Sequence, residues 1–223
     1  MKSIKNFKYL RVVNNMSFKD KRGYFKELLI EKKIKKKFPF LVMSYSKKNV
    51  IRGLHLQFNN SQGKYVSVIK GKIFDVCVDL RKDSKTFGKY FSVIISEKNS
   101  KSIFVPPGFA HGFCALDKEN YVIYSCTKYR DAKSEVAINF NDRKLKIKWP
   151  VKKAIVSKKD KSAISFNEYL NSLDIFLIDF VNLPICLMNA GKSLGPITTI
   201  TTMLTNNNSP QPKLNIGIIY LRL

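Results

Sequence analysis

The 223-residue sequence is poor in histidine, cysteine and acidic side chains. Four cysteines stand at positions 77, 114, 126 and 186, and no two of them are spaced as Cys-x-x-Cys. This spacing indicates neither a zinc site nor a redox dithiol, and it gives no framework of small disulfides. The only histidines are His55 and His111. Histidine is the usual general base near neutral pH, so both are candidates, although a lone histidine is more often structural.

The sequence also lacks a secretory leader pattern and a long uninterrupted apolar run. The first fifteen residues, MKSIKNFKYLRVVNN, contain no apolar core and no small-residue cleavage site. The most apolar stretch, Leu173 to Met188, is interrupted by Asp174, Asp179 and Pro184. It is too short and too interrupted to predict a membrane span. We therefore expect a reduced, soluble, cytoplasmic protein.

Acidic residues are outnumbered by basic ones. The chain has 41 Lys and Arg against 16 Asp and Glu, a formal net charge of +25. Such a charge suits nucleic acid, anionic lipid or a phosphorylated small molecule. Most of the excess is scattered lysine, and the densest run, residues 32–37, contains neither arginine nor an aromatic residue. This pattern favours a solvated face, with a dedicated polyanion site as the alternative.

Short runs that alternate between apolar and polar residues dominate the chain up to Pro150. Separated by turn signals such as Pro106-Pro107-Gly108, they are typical of antiparallel sandwiches and barrels. The predicted strands are 64–69, 73–80, 91–95, 102–105, 121–129, 136–140 and 145–149. One helix is predicted, from Glu27 to Lys37, ended by Phe38-Pro39. The expected fold class is all-β.

One predicted strand carries two carboxylates on a single face. In the strand 73–80, Asp75 and Asp79 fall on the face opposite the strand's alternating apolar side chains. This polar face either meets solvent or lines a barrel cavity, which is where small barrels hold ligands.

The composition changes near residue 170. Beyond it come a threonine-rich stretch, three consecutive asparagines, a Ser-Pro-Gln-Pro segment and a final apolar run. We therefore divide the chain into a β domain, residues 1–170, and a divergent tail, residues 171–223. The tail carries no catalytic constellation. It is an accessory segment, an interface arm or an out-of-frame read of neighbouring sequence.

A series of motifs follows in order along residues 4–170. They are Arg22-Gly23-Tyr24-Phe25-Lys26-Glu27, Arg52-Gly53-Leu54-His55-Leu56-Gln57, Gln62-Gly63-Lys64, Phe74-Asp75-Val76, Val78-Asp79-Leu80-Arg81, Ser84-Lys85-Thr86-Phe87-Gly88, Pro107-Gly108-Phe109-Ala110-His111-Gly112-Phe113, Tyr124, Tyr129, Glu135, Trp149-Pro150 and Ser157-Lys158-Lys159-Asp160. With these motifs the chain resembles the dTDP-4-dehydrorhamnose 3,5-epimerases. The resemblance implies a cupin-type jelly-roll barrel with short flanking helices, a homodimer, and neither a metal nor an organic cofactor.

The resemblance also assigns a catalytic set. The family's reaction inverts C3 and C5 of a 4-keto-6-deoxyhexose carried on a nucleoside diphosphate. Each inversion needs a base that removes a carbon-bound proton beside the ketone, and an acid that returns a proton on the opposite face. By resemblance these roles are filled as follows: His55 is the base, Asp160 its carboxylate partner, Tyr124 the acid, and Lys64 the cation that stabilises charge on the ketone oxygen.

Further polar positions match those that bind the family's substrate. Arg22 and Arg52 match positions that hold the diphosphate, for which the arginine fork is well suited, and Lys159 assists them. The matched substrate-binding set is completed by Glu27, Asp75, His111 and Glu135.

Three residues depart from the family pattern. Phe40 and Val42 stand where the family commonly has the Gln and Asn that help to bind the nucleotide end. Arg130 stands where a second tyrosine often follows Tyr129. Apolar groups leave polar ligand groups unpaired, so we expect these departures to affect nucleotide identity or affinity. The catalytic set is complete.

The sequence therefore predicts a nucleotide-sugar isomerase. The predicted reaction converts dTDP-4-dehydro-6-deoxy-D-glucose to dTDP-4-dehydro-L-rhamnose, or inverts only one of the two carbons, in deoxysugar synthesis for surface polysaccharide. A nucleotide-sugar 3,4-ketoisomerase of the same fold is the enzymatic alternative. A non-catalytic basic binding module is the alternative from a different class, and its binding would weaken steeply with salt. The expected partners are the nucleotide sugar and a second copy of the chain, with neither nucleic acid nor membrane.

Overall fold

The computed structural model describes residues 2–4, 6–58 and 60–181. This part of the chain contains thirteen strands and three helices. The strands are β1 (Lys2–Ser3), β2 (Arg11–Asn14), β3 (Ser17–Asp20), β4 (Gly23–Lys26), β5 (Phe40–Lys47), β6 (Ile51–Gln57), β7 (Lys64–Lys70), β8 (Lys72–Asp79), β9 (Tyr90–Ser96), β10 (Lys101–Val105), β11 (Phe109–Ala115), β12 (Glu119–Cys126) and β13 (Glu135–Ala137). The helices are α1 (Glu31–Ile34), α2 (Lys158–Lys161) and α3 (Phe166–Val181).

The strands form two antiparallel sheets and one separate hairpin. The six-stranded sheet has the order β1-β2-β10-β7-β12-β5, and the five-stranded sheet has the order β13-β6-β11-β8-β9. The hairpin is β3–β4. Neighbours in a sheet are mostly distant in sequence, so the chain crosses repeatedly from one sheet to the other. This is the topology of a cupin-type jelly roll, and it confirms the all-β prediction.

The hydrophobic core is formed by side chains from both sheets. The six-stranded sheet contributes Val66, Val68, Ile103, Val105 and Val122, and the five-stranded sheet contributes Ile73, Ile95, Phe109, Phe113 and Ala115. Because side chains alternate between the two faces of a strand, each sheet presents one apolar stripe to the other. Each of the larger buried side chains contributes about 1.5–3 kcal/mol to folding. The strands that carry the functional side chains are therefore held on a rigid support.

One of the two carboxylates of β8 anchors the loop that follows the strand. Asp79 is fully buried. Arg81 grips both of its carboxylate oxygens, with Nε and Nη2 at 2.8 and 2.6 Å, and the hydroxyls of Ser84 and Thr86 each donate to it at 2.6 Å. Burial by itself would raise the pKa of the Asp79 carboxyl, but these hydrogen bonds outweigh it and hold the pKa below its usual range. The possibility that this face of β8 meets solvent is therefore wrong.

Most of the predicted strands overlap strands of the structure. The runs starting at residues 64, 73, 91, 102 and 121 correspond to β7, β8, β9, β10 and β12, and the run 136–140 overlaps the shorter β13. The strand predicted over 145–149 is wrong. Lys146 has a φ of 50°, in the left-handed region, which interrupts an extended chain. Trp149 instead donates its indole N–H to the carbonyl oxygen of Phe140 at 2.8 Å.

The predicted helix over 27–37 is reduced to the single turn α1. The backbone N–H of Glu27 donates to the carbonyl of Met16 at 3.0 Å rather than entering a helix. Lys35 has a φ of 59° and ends the turn with a left-handed cap. Ile34 is the residue of this turn that is buried, and its neighbouring lysines are exposed. Charge repulsion within the lysine run and the left-handed cap together explain the short helix.

The C-terminal part of the described chain is helical. The predicted boundary at residue 170 falls inside α3, and the predicted tail beyond residue 181 lies outside the described residues. The division into a β domain and a tail stays a prediction. In the residues that the structure describes, every helix is too short or too polar to span a lipid bilayer.

Candidate active site

A cavity of about 640 Å³ is lined by strands of both sheets. Its polar and ionisable lining consists of Ser44, Arg52, His55, Gln57, Gln62, Lys64, His111, Tyr124, Cys126, Arg130, Glu135, Ser157, Lys159 and Asp160. A volume of this size suits a ligand larger than a simple sugar.

The cavity gathers most of the side chains that the sequence singled out. All four residues predicted to be catalytic line it, namely His55, Lys64, Tyr124 and Asp160. Four of the predicted substrate-binding residues also line it: Arg52, His111, Glu135 and Lys159. Arg22, Glu27 and Asp75 do not line it. Residues separated by more than a hundred positions in sequence are thus brought to one site.

His55 is paired with a carboxylate from the far end of the domain. Its Nε2 lies 2.6 Å from Oδ1 of Asp160, and the two side chains are 28% and 5% exposed. Asp160 is held by the short helix α2, in which its backbone N–H donates to the Ser157 hydroxyl at 3.0 Å. The Nδ1 atom of His55 makes no hydrogen bond to the described part of the chain. It is therefore the ring nitrogen left for a ligand.

The electrostatics of Asp160 favour its ionised form. Burial would raise the pKa of this carboxyl, but the hydrogen bond and charge of His55, together with the Gly53 N–H and the Ser157 hydroxyl, outweigh burial and lower the pKa below its usual range. An ionised carboxylate on one ring nitrogen fixes the tautomer and the orientation of the imidazole.

Two glycines allow the strands that carry the histidines to approach closely. A Cβ atom on Gly53 would lie 2.6 Å from the Cα of Gly112, and a Cβ on Gly112 would lie 2.6 Å from the Arg52 carbonyl oxygen. Gly53 also has a φ of +114°, which larger residues rarely adopt. In this register His55 pairs directly with His111, next to an irregularity between His111 and Phe113. The glycines thus let β6 and β11 pack closely where the two strands carry the histidines.

Tyr124 projects into the cavity from the other sheet, on β12. Its phenol oxygen lies 2.9 Å from the hydroxyl of Ser44, and its ring meets the His111 ring edge-on at a centroid distance of 6.3 Å. Burial raises the pKa of Tyr124 far above its usual value, an effect that the Ser44 hydrogen bond only partly offsets. The phenol therefore carries its proton at neutral pH and is a hydrogen-bond and proton donor.

Lys64 adds a cation to the cavity wall. It lies on β7 in register with Cys126 of β12 and is partly buried. Burial lowers the pKa of its ammonium group, while the nearby Cys126, Glu135, Cys77 and Asp75 oppose this effect. Within the described chain its amine makes no hydrogen bond or ion pair. The amine is therefore available to an oxygen atom of a ligand.

A second histidine–carboxylate pair lies behind the first. His111 Nε2 is 2.8 Å from Oδ2 of Asp75, and their side chains are 4% and 0% exposed. Asp75 does not line the cavity itself, but it contacts His111 and acts through its charge on Lys64 and Tyr124.

Three cations surround the cavity rim. Arg130 donates through Nε and Nη2 to one oxygen of Glu135 at 3.0 and 2.8 Å, and Lys159 donates to the other oxygen at 2.6 Å. Arg52 is oriented by neutral acceptors, the Ser46 hydroxyl and the Tyr45 carbonyl, both at 2.9 Å. Since one carboxylate neutralises only part of this charge, the rim suits an anionic group.

The structure also locates the departures from the family pattern. Phe40 and Val42 lie on β5 and form an apolar part of the cavity wall, and Arg130 is held by Glu135. The contact between Ser44 and Tyr124 was not predicted. The alternation of β5 could have placed Ser44 on the same face as Val42, but it does not identify β12 as the partner strand.

Arg22 and Glu27 lie outside this cavity. Arg22 forms an exposed ion pair with Asp20 at 2.6 Å at the turn of the hairpin β3–β4. Glu27 follows the hairpin and lies 3.8 Å from Lys33. Their predicted contacts with substrate are not formed by the cavity of their own chain.

Comparison with known proteins identifies close relatives. The family model described as dTDP-4-dehydrorhamnose 3,5-epimerase matches residues 5–168. Over 150 residues the chain is 39% identical to the dTDP-4-dehydrorhamnose 3,5-epimerase of Shigella flexneri, covering 64% of this chain and 83% of the relative. It is 40% identical over 153 residues to the enzyme of the same name from Methanothermobacter thermautotrophicus, covering 65% and 83%.

Two solved structures extend the likeness to three dimensions. The dTDP-6-deoxy-D-glucose-3,5-epimerase of Legionella pneumophila, in complex with dTDP-4-keto-L-rhamnose, aligns with a TM-score of 0.69 and 38% identity over 71% of this chain and 88% of that one. The dTDP-4-dehydrorhamnose 3,5-epimerase of Bacillus anthracis, with TDP and PPi bound, aligns with a TM-score of 0.70 and 38% identity over 72% and 96%.

Proposed function

The chain belongs to the dTDP-4-dehydrorhamnose 3,5-epimerase family, and we propose that it inverts C3 and C5 of dTDP-4-dehydro-6-deoxy-D-glucose to give dTDP-4-dehydro-L-rhamnose. The observation that carries this proposal is one cavity in which His55 of the five-stranded sheet, paired with Asp160 of α2, faces a protonated phenol of the six-stranded sheet. That arrangement supplies a base and an acid from two different walls.

His55 is the base in this proposal. A carbon-bound proton beside a ketone is only weakly acidic, so its removal needs a well-oriented base of sufficient strength. The ionised Asp160 stabilises the imidazolium that forms when His55 takes the proton. The free Nδ1 is the atom that accepts it.

Lys64 stabilises the charge that this step creates. As the proton leaves carbon, negative charge develops on the ketone oxygen at C4. A cation already in place within a partly dry cavity stabilises such charge more than it would in water, and removal of one such donor typically costs about 10²–10³ in rate. The amine of Lys64, which has no hydrogen-bond or ion-pair partner among the described residues, is suited to this role.

Tyr124 completes each inversion. The phenol faces the cavity from the six-stranded sheet, whereas His55 belongs to the five-stranded sheet. A proton removed on the His55 side and returned on the Tyr124 side leaves the carbon with inverted configuration. Burial keeps the phenol protonated before the step, which supports its role as the acid.

The rim cations bind the nucleoside diphosphate. Arg52 has no carboxylate partner in the described residues, so its fork is open to two phosphate oxygens. Lys159 and Arg130, held by Glu135, add charge beside it. His111 contacts the sugar in this proposal, and Asp75 orients His111.

We also propose that the protein acts as a homodimer. The edge strand β5 exposes Leu41, Met43 and Tyr45, and the hairpin β3–β4 exposes Phe18 and Phe25. An open edge strand and exposed apolar side chains are features that a partner chain covers. Neither Arg22 nor Glu27 lines its own cavity, so we place their substrate contacts across the dimer interface.

Hydrogen exchange tests the proposed reaction. The protein is incubated with dTDP-4-dehydro-6-deoxy-D-glucose in deuterated water, and NMR follows deuterium at each ring carbon and the configuration of the product. Deuterium at C3 and C5 with inversion at both is the expected result. Label at one carbon identifies a monoepimerase, and a displaced carbonyl identifies a ketoisomerase. Absence of label at both carbons overturns the proposal.

A further inference from the structure

Three different metal-binding side chains meet behind the wall of the cavity. Asp75 and Cys77 lie on one face of β8, and Cys77 pairs in register with His111 on β11. One ligand atom from each residue lies within 4.8 Å of the others. The three residues are buried, with exposures of 0%, 0% and 4%. The epimerase reaction uses only His111 among these groups directly, and it has no role for the thiol.

We propose that Asp75, Cys77 and His111 bind a divalent metal ion of the zinc type, and that the bound ion inhibits epimerisation. Thiolate sulfur, imidazole nitrogen and carboxylate oxygen are the ligand atoms that zinc prefers. The ion acts on the enzyme without taking part in the proposed reaction, none of whose steps uses a metal.

The spacing of the ligand atoms is close to what such an ion requires. With bonds of about 2.0 Å to N and O and about 2.3 Å to S, tetrahedral ligand atoms stand about 3.3–3.5 Å apart. The Cys77 sulfur lies 3.6 Å from Oδ1 of Asp75, and His111 Nε2 lies 2.8 Å from Oδ2. The three ligand atoms lie within 4.8 Å of one another, so side-chain shifts of about 1 Å bring them to the distances that the ion requires.

Charge balance favours a divalent cation at this buried position. When the ion binds, the Cys77 sulfur exchanges its proton for a bond to the metal, and the proton leaves to water. The thiolate and the Asp75 carboxylate then balance the two positive charges of the ion, while the nearby Lys64 ammonium keeps its own charge. His111 lines the cavity and provides the route of entry, which leaves the fourth coordination position to water from the cavity.

Inhibition follows from the position of His111. Its ring lies against that of Tyr124, and in the proposed function it contacts the sugar. An ion on Nε2 of His111 replaces the hydrogen bond to Asp75 and reorients the ring. The substrate then loses that contact while the ion occupies the adjoining wall.

Cobalt provides a direct test because a Co²⁺–thiolate bond gives a charge-transfer absorption in the near ultraviolet. The full chain, first treated with a chelator and dialysed, is titrated with CoCl₂ alone. We expect the absorption to grow to one equivalent and to disappear when ZnCl₂ is added. Cys77→Ala is expected to abolish it. The matched control, Cys126→Ala, removes the thiol that lines the cavity elsewhere and is expected to keep the absorption.

Affinity and activity complete the test. Zinc affinity measured by calorimetry should fall by at least about 10–100-fold in Cys77→Ala. Removal of a residue that only hydrogen-bonds to a metal ligand already costs this much, and Cys77 is itself a ligand. Zinc should inhibit the wild type and spare Cys77→Ala. If Cys77→Ala does not fold, Cys77→Ser replaces it in each measurement. No absorption in the wild type, or an absorption that persists without the Cys77 thiol, overturns the site, and binding without inhibition overturns the inhibitory role. The cobalt measurement needs no substrate, so its outcome is independent of the proposed epimerase function.

Discussion

His55 and His111 stand directly opposite each other on the neighbouring strands β6 and β11, and each has its own carboxylate partner. Their surroundings differ. The side chain of His55 is 28% exposed, whereas that of His111 is 4% exposed. His55, the more exposed histidine, is paired with Asp160 of α2. The enclosed His111 is paired with Asp75 of β8. This difference separates a group suited to proton removal from one suited to holding the sugar.

Replacement of the base should stop exchange at carbon. In His55→Asn the amide cannot take up a proton, so we expect deuterium incorporation at C3 and C5 to fall together, by about 10²–10⁴-fold. NMR in deuterated water measures both positions. Substrate affinity from calorimetry serves as the control and should change little. Exchange at a normal rate in this variant would remove His55 from the mechanism.

Replacement of the acid should separate exchange from inversion. Tyr124→Phe keeps the ring but removes the phenolic proton, so His55 still removes protons while their return on the opposite face slows by about 10²–10⁴-fold. We expect deuterium to enter the substrate with its original configuration. Full epimerisation by Tyr124→Phe would show that another group is the acid.

Ser44 should position the Tyr124 phenol. Its hydroxyl lies 2.9 Å from the phenol oxygen, and a hydrogen bond of this kind contributes about 0.5–1.5 kcal/mol. Ser44→Ala is therefore expected to lower the rate of inversion up to about tenfold and to raise the ratio of exchange to inversion. The matched control is Ser46→Ala, because the Ser46 hydroxyl accepts a hydrogen bond from Arg52 and does not contact the phenol. That variant should raise KM and leave the ratio unchanged.

Asp79 should stabilise the fold in a pH-dependent manner. Because its pKa in the folded state is lowered, its stabilisation is complete above the unfolded pKa of about 3.9 and is lost as the pH falls through the folded value. Asp79→Asn leaves Arg81 without its charged partner, which costs about 3 kcal/mol at pH 7. Urea unfolding followed by circular dichroism should show this difference shrinking below about pH 4. Asp20→Asn, which removes an exposed ion pair, is the control and should have little effect.

Mixed dimers test whether Arg22 acts across an interface. Arg22→Ala and His55→Asn should each be nearly inactive alone. If Arg22 reaches the cavity of the partner, a heterodimer has one cavity with both His55 and the arginine intact. Unfolding and refolding an equal mixture should then restore up to about a quarter of wild-type activity, since half the dimers are mixed and each has one complete site. No recovery would place the Arg22 contact elsewhere, or would indicate that the chain is a monomer, which light scattering decides.

The fold class and the gathering of the four predicted catalytic side chains in one cavity could be anticipated from the sequence. The motifs around His55 and Lys64 are local, and their order along the chain matches the family. Strands β6 and β11 gave no alternating signal, because glycines and buried residues on both faces hide the period of two. The helix predicted over 27–37 is wrong because tertiary contacts and the left-handed conformation of Lys35 override a composition that favours a helix.

Contacts between residues that are distant in sequence could not be foreseen. The Ser44–Tyr124 contact depends on the pairing of β5 with β12, which no local pattern encodes. The contact between Glu135 and Lys159, 24 positions apart, is of the same kind, whereas Arg130 lies only five positions from Glu135 and binds the same carboxylate. The place of Arg22 and Glu27 outside the cavity follows from where the β3–β4 hairpin packs, and composition carries no information on that.

The pairing of His55 with Asp160 joins residues 105 positions apart. The ribosome releases the N-terminal part of a chain first. A chain that ends ahead of α2 contains every strand of both sheets but lacks both Lys159 and Asp160. Under the proposed function, premature termination at that point is therefore expected to yield a protein with its barrel walls in place and without epimerase activity.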